Sequence, residues 1–406
     1  MAQSISQEAV VNTGLPGATA ASRYAGATTS GAPTTGTFAV GDYVVDQTGA
    51  MYVCTVAGTP GTWQLSGVSV NENIAGKNFV INGGMDIWQR GTSFTNAGST
   101  TANTADRWVA YRGGFSTGLS VSRQPTSDTT NLPFIQYCAR VQRASGDTQT
   151  AFLGFQTTLE TSNSIPMAGK IVTLSFWARA GANFSSTSNQ LNASVVYGTG
   201  TDQNYITGFT GFTQIVNVNV TLTSTWKLYS FTGTVGSIAT QLAISFGETP
   251  TGTAGANDYF DITGVQLEIA PQATPFSRAG GSIGGELALC QRYFYKVYSS
   301  AATSINEKIA IGQATSGTTA IFQIPLPITM RLAPSGTISS LGSSSVAIIN
   351  SANTTAYGCT SFGYDSATPN NVSLTASLGS SLLTAGNAST LLGNANGWYL
   401  GFSAEL

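Results

Sequence analysis

None of the 406 residues of this chain is histidine, so any chemistry it performs must do without an imidazole. That removes the Ser-His-Asp and Cys-His nucleophilic arrangements and the usual mixed Cys/His zinc site. The four cysteines, Cys54, Cys138, Cys290 and Cys359, lie far apart with no Cys-x-x-Cys pair. They read as buried free thiols acting as small apolar core residues. Carboxylates remain, and paired acids cleave glycosides. Asp258 and Asp261 stand close together, but their odd spacing along a strand points them to opposite faces, and Asn257-Asp258 suits a turn. Acids brought together only by the fold stay open. Saccharide recognition is the other chemistry on offer. It needs an aromatic face for the C–H surface of a sugar and planar polar groups for its hydroxyls. Trp177, Arg179, Tyr197 and Tyr205 are the candidate glycan contacts. Trp177 equally suits packing of a second apolar layer, and Trp88, Arg107 and Trp108 read as plugs at a core edge.

The elements that must position these residues are strands. In Ile171–Arg179 the residues Val172, Leu174, Phe176 and Ala178 fall on one face, with Thr173, Ser175, Trp177 and Arg179 on the other. Gln241–Phe246 repeats the pattern with Leu242, Ile244 and Phe246 inward, and Leu191–Tyr197, Gln214–Leu222 and Trp226–Thr232 add further strands. Asn78–Trp88 and Tyr259–Glu268 read as the first and last strands of the same sandwich. Some two hundred residues of strand signal without a helix predict a jelly roll. Short strands and glycine turns over residues 37–63 predict a small β unit. Gly280–Gly285 reads as a flexible joint ahead of the best helical stretch, Glu286–Tyr295, with Leu287, Cys290 and Phe294 on one stripe. The remainder is β-like and almost uncharged; the prolines of Ile321–Met330 place that strand at an edge or bend. The expected class is all-β: a modular chain with a small N-terminal β unit, a central jelly-roll sandwich, a short linker helix and a C-terminal β-domain. The boundaries are 1–30 for an N-terminal arm, 31–70, 77–278, 283–296 and 297–406.

Composition narrows the partners. Charged residues are 8% of the chain and its formal net charge is −2, which offers no attraction to nucleic acid or anionic lipid. No apolar stretch approaches a membrane span. Met1–Glu8 lack the basic-then-apolar pattern of a secretory leader, so synthesis in the cytoplasm and release by lysis are expected. Uncharged edge strands call for closure or oligomerisation.

Several phrases stand in a characteristic order: Asn82–Phe94, Thr104–Trp108, Phe176–Arg179 and Gly264–Glu268, then Glu286–Tyr295. The first four resemble a carbohydrate-binding-module-like jelly roll. With the early Arg23–Thr28 and Phe38–Gly49, the whole resembles the virion fibres of tailed bacteriophages. The resemblance implies a homotrimeric tail or virion fibre, a modular fibre joined to other tail or capsid proteins through its N-terminal region, with residues 1–30 as the attachment arm and 297–406 for trimerisation and receptor contact. It would adsorb to host cell-surface glycans without catalysis. A structural calcium ion between the first and last strands is implied as well, at Asp86 and Asp261, with Glu268 a weaker third; an empty site with Asp86 capping a turn is the other reading. A capsid-attached structural fibre or decoration protein is one alternative, and a polysaccharide-degrading tailspike the second.

Overall fold

The structure, a computed structural model, describes residues 23–406 except 48, 67–73, 96–101, 114–117, 299–306, 336, 340, 351–354 and 395–396. The chain divides into two compact units, Met1–Glu72 and Asn73–Leu406. In the first, strands β1 (Tyr24–Thr28), β2 (Tyr43–Asp46), β3 (Met51–Val56) and β4 (Thr62–Leu65) form one sheet in that order. β1 runs parallel to β2 and the other pairs are antiparallel. Phe38 meets the Trp63 ring edge-on at 4.8 Å, and Arg23 pairs with Asp42 at 2.7 Å. Residues 1–22 of the expected arm lie outside the described residues. The β unit begins at Tyr24 rather than at 31, because Tyr24–Thr28 pairs along β2.

The second unit opens with a sandwich. Its strands are β5 (Ser93–Thr95), β6 (Ala102–Asn103), β7 (Val109–Arg112), β8 (Leu119–Pro125), β9 (Tyr137–Arg143) and β10 (Leu153–Thr158). They continue with β11 (Ile171–Ala180), β12 (Gln190–Gly198), β13 (Thr213–Thr221), β14 (Lys227–Thr234), β15 (Gln241–Glu248) and β16 (Tyr259–Glu268). One sheet has the order β13-β12-β15-β10-β7-β6, the other β14-β11-β16-β9-β8-β5. The antiparallel pairs β9/β16, β10/β15, β11/β14 and β12/β13 nest around one another, which is jelly-roll wrapping. Alternation drives it. Val172, Leu174, Phe176 and Ala178 are fully buried between the sheets, where Trp108 stacks on Phe155 at 4.8 Å and Phe176 meets Phe246 edge-on at 4.7 Å. Each such ring contributes on the order of 1.5–3 kcal/mol of burial.

Asn78–Trp88 is not a strand; it is a run of turns. Asn82 and Met85 have φ of 59° and 55°, left-handed values that a strand does not contain. The Asn78 amide donates to the carbonyls of Val265 and Ser277, both at 3.0 Å, and single backbone bonds of 2.9 Å join Phe79 N to Leu267 O and Val265 N to Gly83 O, so the segment is pinned on β16 at separate points rather than along a ladder. The expected helix is also shorter. α1 (Thr161–Ser164) is a single turn, and α2 (Ile283–Gln291) stops before Phe294, which is buried in a strand. Ser282 caps α2 by accepting from Gly285 N at 3.0 Å. Gly280–Gly285 is a packed corner instead of a free joint: a Cβ on Gly280 would come 2.2 Å from the Gly285 carbonyl carbon. Glu286 accepts from Gly280 N at 2.7 Å and from Asn82 N, tying α2 to the turn segment.

After α2 the chain adds β17 (Phe294–Tyr298), β18 (Glu307–Ala314), β19 (Thr319–Pro325), β20 (Thr337–Ser339) and β21 (Val346–Asn350). The last strands are β22 (Tyr357–Gly358), β23 (Ser361–Thr368), β24 (Asn371–Ser377), β25 (Ala388–Gly393) and β26 (Tyr399–Ser403). They form a three-stranded sheet, β17-β26-β20, and a seven-stranded sheet, β22-β21-β25-β18-β19-β24-β23, around a second core that includes Phe322, Leu374, Trp398 and Phe402. β19 is interior, not an edge, but the expected bend is present: Pro325 is the strand's last residue and Pro327 lies in the bend that follows. Polar contacts stitch this layer to the sandwich. Arg292 pairs with Glu160 at 2.6 Å, Tyr293 Oη donates to Glu160 at 2.7 Å, Arg331 reaches Asp202 at 3.2 Å, and Glu405 accepts from both Arg90 and Arg107. No helix among the described residues is long and apolar enough to cross a membrane.

Candidate functional site

A cleft of about 310 Å³ opens at one end of the outer face of the β13-β12-β15-β10 sheet. Register builds it. Asn192 of β12 lies between Asn219 of β13 and Gly247 of β15, and Gly247 lies opposite Gly154 of β10. The two glycines leave a bare strip of backbone, and the Phe152 ring occupies it. A Cβ on Gly247 would stand 2.2 Å from Phe152 Cζ, and one on Gly154 3.1 Å from Phe152 Cε1. Phe152 is nevertheless 40% exposed. It is an aromatic platform laid on the sheet. Beside it, Asn192 Nδ2 donates to Asn217 Oδ1 at 2.8 Å and to Asn219 Oδ1 at 2.9 Å. That pattern leaves Asn192 Oδ1 and the amide nitrogens of Asn217 and Asn219 without partners among the described residues. Ser186, Thr187, Gln190 and Thr249 complete the polar rim, with no lysine or arginine in the lining.

Glu248 bounds the cleft from within the sandwich. Its neighbour Gly247 faces outward, so Glu248 turns inward towards a charged layer at the end of the core. There Arg143 Nη1 donates to Asp258 at 2.9 Å and to Ser185 Oγ at 2.7 Å, and Arg112 Nη2 donates to Asp147 at 2.5 Å. Two guanidiniums already balance two carboxylates. Burial, reinforced by the nearby Asp258 charge, pushes the Glu248 carboxyl up to about 8. Glu248 Oε2 has no hydrogen-bond partner among the described residues. The carboxyl is therefore a neutral acid at pH 7, which removes an uncompensated buried charge.

The residues singled out from sequence do not converge. Trp177 is half-buried on the outer face of the other sheet, against Leu132, Ile135, Cys138 and Trp226. Its packing role is realised. Arg179 donates to Asp261 at 2.9 Å and lies over the Trp226 ring at 4.6 Å. Tyr197 packs against the main core. Tyr205 sits on the same outer face as the cleft, covering Val196 and Ala243 with Phe209, and burial pushes its phenol up. Thus Trp177 and Arg179 belong to one sheet, while Tyr197 and Tyr205 lie on or beside the other.

The calcium set does not fit either. Asp86 is engaged by Arg278 at 2.8 Å, and Asp261 is clamped between Arg140 and Arg179 at 2.8 and 2.9 Å. Glu268 accepts from Gln266, Thr274 N and Thr274 Oγ1. Calcium needs six to eight free oxygens; here guanidiniums neutralise both leading carboxylates. Among the described residues no group of three or more acidic or thiol side chains could hold a metal. Asp258 and Asp261 do face apart, one to Arg143 in the core layer and the other to the outer arginines.

Sequence reasoning missed Phe152, Asn192, Asn217, Asn219 and Gly247. The alternating Asn217-Val218-Asn219 of β13 was the available signal, since it sets two amides on one face.

No family model and no curated protein matches the sequence. Solved structures show weak similarity. One is the enzymatically active domain of tailspike protein 4 of bacteriophage CBA120, at 16% identity and a TM-score of 0.30 over 48% of this chain; only 22% of the tailspike is covered. A CBM4 module matches at 20% identity and a TM-score of 0.29, over 50% of this chain and all of its own. The tandem CBM22 domains of Paenibacillus barcinonensis Xyn10C match at 11% identity and a TM-score of 0.29, over 82% of this chain and 98% of theirs. Scores this low do not establish a shared fold. The all-β assignment rests on the sheets themselves.

Proposed function

We propose that this chain is a non-catalytic glycan-binding protein, and that it serves as a homotrimeric virion fibre adsorbing to host-surface glycans. The cleft carries the binding reading: an exposed ring seated on two glycines beside three asparagines with open amide valences. A sugar's C–H face would stack on Phe152, and its hydroxyls would exchange hydrogen bonds with Asn192, Asn217 and Asn219. The lining contains a single carboxyl residue, Glu248, where glycoside hydrolysis uses a pair flanking the bond. That supports binding without turnover. The fibre reading is supported by the ordered sequence phrases alone. Repetition of a weak site around a threefold axis would raise avidity through effective concentration.

The test is a printed array of bacterial-surface and plant glycans, read with the wild type and with F152A/N192A. Binding by the wild type and its loss in the variant are expected. A silent array with folded wild type would refute glycan binding, and release of reducing ends from a bound polysaccharide would favour the tailspike alternative. Light scattering that finds a monomer would overturn the trimer, and labelling on virion images would locate the attachment point.

A further inference from the structure

Beyond the cleft, the same outer face continues along the strands. Asn192, Ser194 and Val196 of β12 lie opposite Gly247, Ser245 and Ala243 of β15, and Gln156 and Thr158 of β10 flank Ser245 and Ala243. Ser194, Ser245 and Gln156 are 3%, 7% and 6% exposed. None of the three makes a side-chain hydrogen bond to a described residue, and their polar atoms are not sealed from solvent. Buried polar side chains are ordinarily paired. Three adjacent unpaired ones, each with a polar atom still touching solvent, line the face between the cleft and Tyr205.

At the far end of this face stand aromatic rings. Tyr205 stacks on Phe212, with centroids 6.4 Å apart and 9° between the planes, and Phe212 is 52% exposed. The loop that carries them is held firmly. Tyr205 N donates to Thr158 Oγ1 at 3.3 Å, Asp202 and Thr161 exchange bonds of 2.9 and 2.8 Å, and Arg331 pairs with Asp202. From the level of Asn192 to that of Val196 is four residues, about 13 Å at ~3.3 Å per residue. A disaccharide on Phe152 would fall short of Tyr205; a chain of three or four units would reach it.

We infer that Tyr205 and Phe212 form a second saccharide subsite, joined to the cleft by the Ser194/Ser245/Gln156 floor, so that the protein takes an uncharged oligosaccharide lying parallel to the strands. This rests on the glycan reading of the cleft. It also gives Tyr205 a place in recognition, although not beside Trp177 or Arg179.

The test is isothermal titration with xylo-, cello- and β-1,4-galacto-oligosaccharides of two to six units, together with size-fractionated fragments of bacterial capsular polysaccharide. The wild type should gain tenfold or more in affinity between two and four units. F212A, whose ring is mostly exposed and whose loss should leave folding intact, should lose most of that gain and keep its disaccharide affinity; F152A should weaken every length. An equal gain with length in F212A and in Y205A/F212A, or no gain in the wild type, overturns the second subsite while leaving the cleft standing. Failure of every probe to bind overturns both.

Discussion

Replacing Glu248 with glutamine should change how stability depends on pH. The side chain is 3% exposed, and burial together with Asp258 raises its carboxyl from an ordinary 4.5 to about 8. Folding therefore favours the protonated form. The stability this group contributes is fully present below about pH 4.5 and is lost as pH rises through about 8, because the unfolded chain releases the proton earlier. At about 1.4 kcal/mol per pH unit, the whole loss comes to about 5 kcal/mol. Glutamine has the same shape, stays neutral and loses nothing over that window. Other groups are shifted too; Asp106 and Glu286 are raised by burial, but they are common to both proteins and cancel in the difference. Urea unfolding at pH 5, 7 and 9 should find wild type and E248Q within about 1 kcal/mol at pH 5, with the variant more stable by about 3 kcal/mol at pH 7 and by about 5 kcal/mol at pH 9. Parallel dependences across that range would show that Glu248 is ionised in the fold, and the neutral-acid account of the core layer would be wrong.

Other outcomes follow from the same geometry. Gly247→Ala places a methyl where the Phe152 ring lies and 2.6 Å from the Leu153 carbonyl oxygen, so it should cut glycan affinity at least tenfold and lower the melting temperature as well, measured by titration and thermal melts together. Trp177→Ala should cost on the order of 3 kcal/mol of stability while glycan affinity stays unchanged, since Trp177 packs on Leu132, Ile135 and Trp226 away from the cleft; lost affinity without lost stability would contradict that placement. Chelation should leave the melting temperature unchanged, because arginines already occupy Asp86 and Asp261.

The sandwich was legible because strand alternation is a local property. Val172, Leu174, Phe176 and Ala178 announce their face without reference to the rest of the chain. The turn segment over residues 78–88 misled for the same reason: its apolar residues imitate a strand, while Asn82 and Met85 turn left-handed and only the contacts of Asn78 with residues near 265 and 277 reveal why. The cleft is a property of register. Gly154, Asn192, Asn219 and Gly247 become neighbours only when β10, β15, β12 and β13 are aligned residue by residue, and nothing in their local sequence states that alignment. The ion pairs at the acids expected to hold calcium are a similar long-range fact, for Arg140, Arg179 and Arg278 are distant in sequence from the acids they engage.

The polar seam between the sandwich and the C-terminal sheets has a consequence for aim. Arg331 holds the loop bearing Tyr205, and Arg292 and Tyr293 hold Glu160 just beyond β10. The direction in which the outer face looks is thereby set by the C-terminal sheets rather than by a swivelling linker. Copies gathered through those sheets would present their outer faces at one repeated angle, so a receptor lattice would be read by its spacing as well as by its sugars.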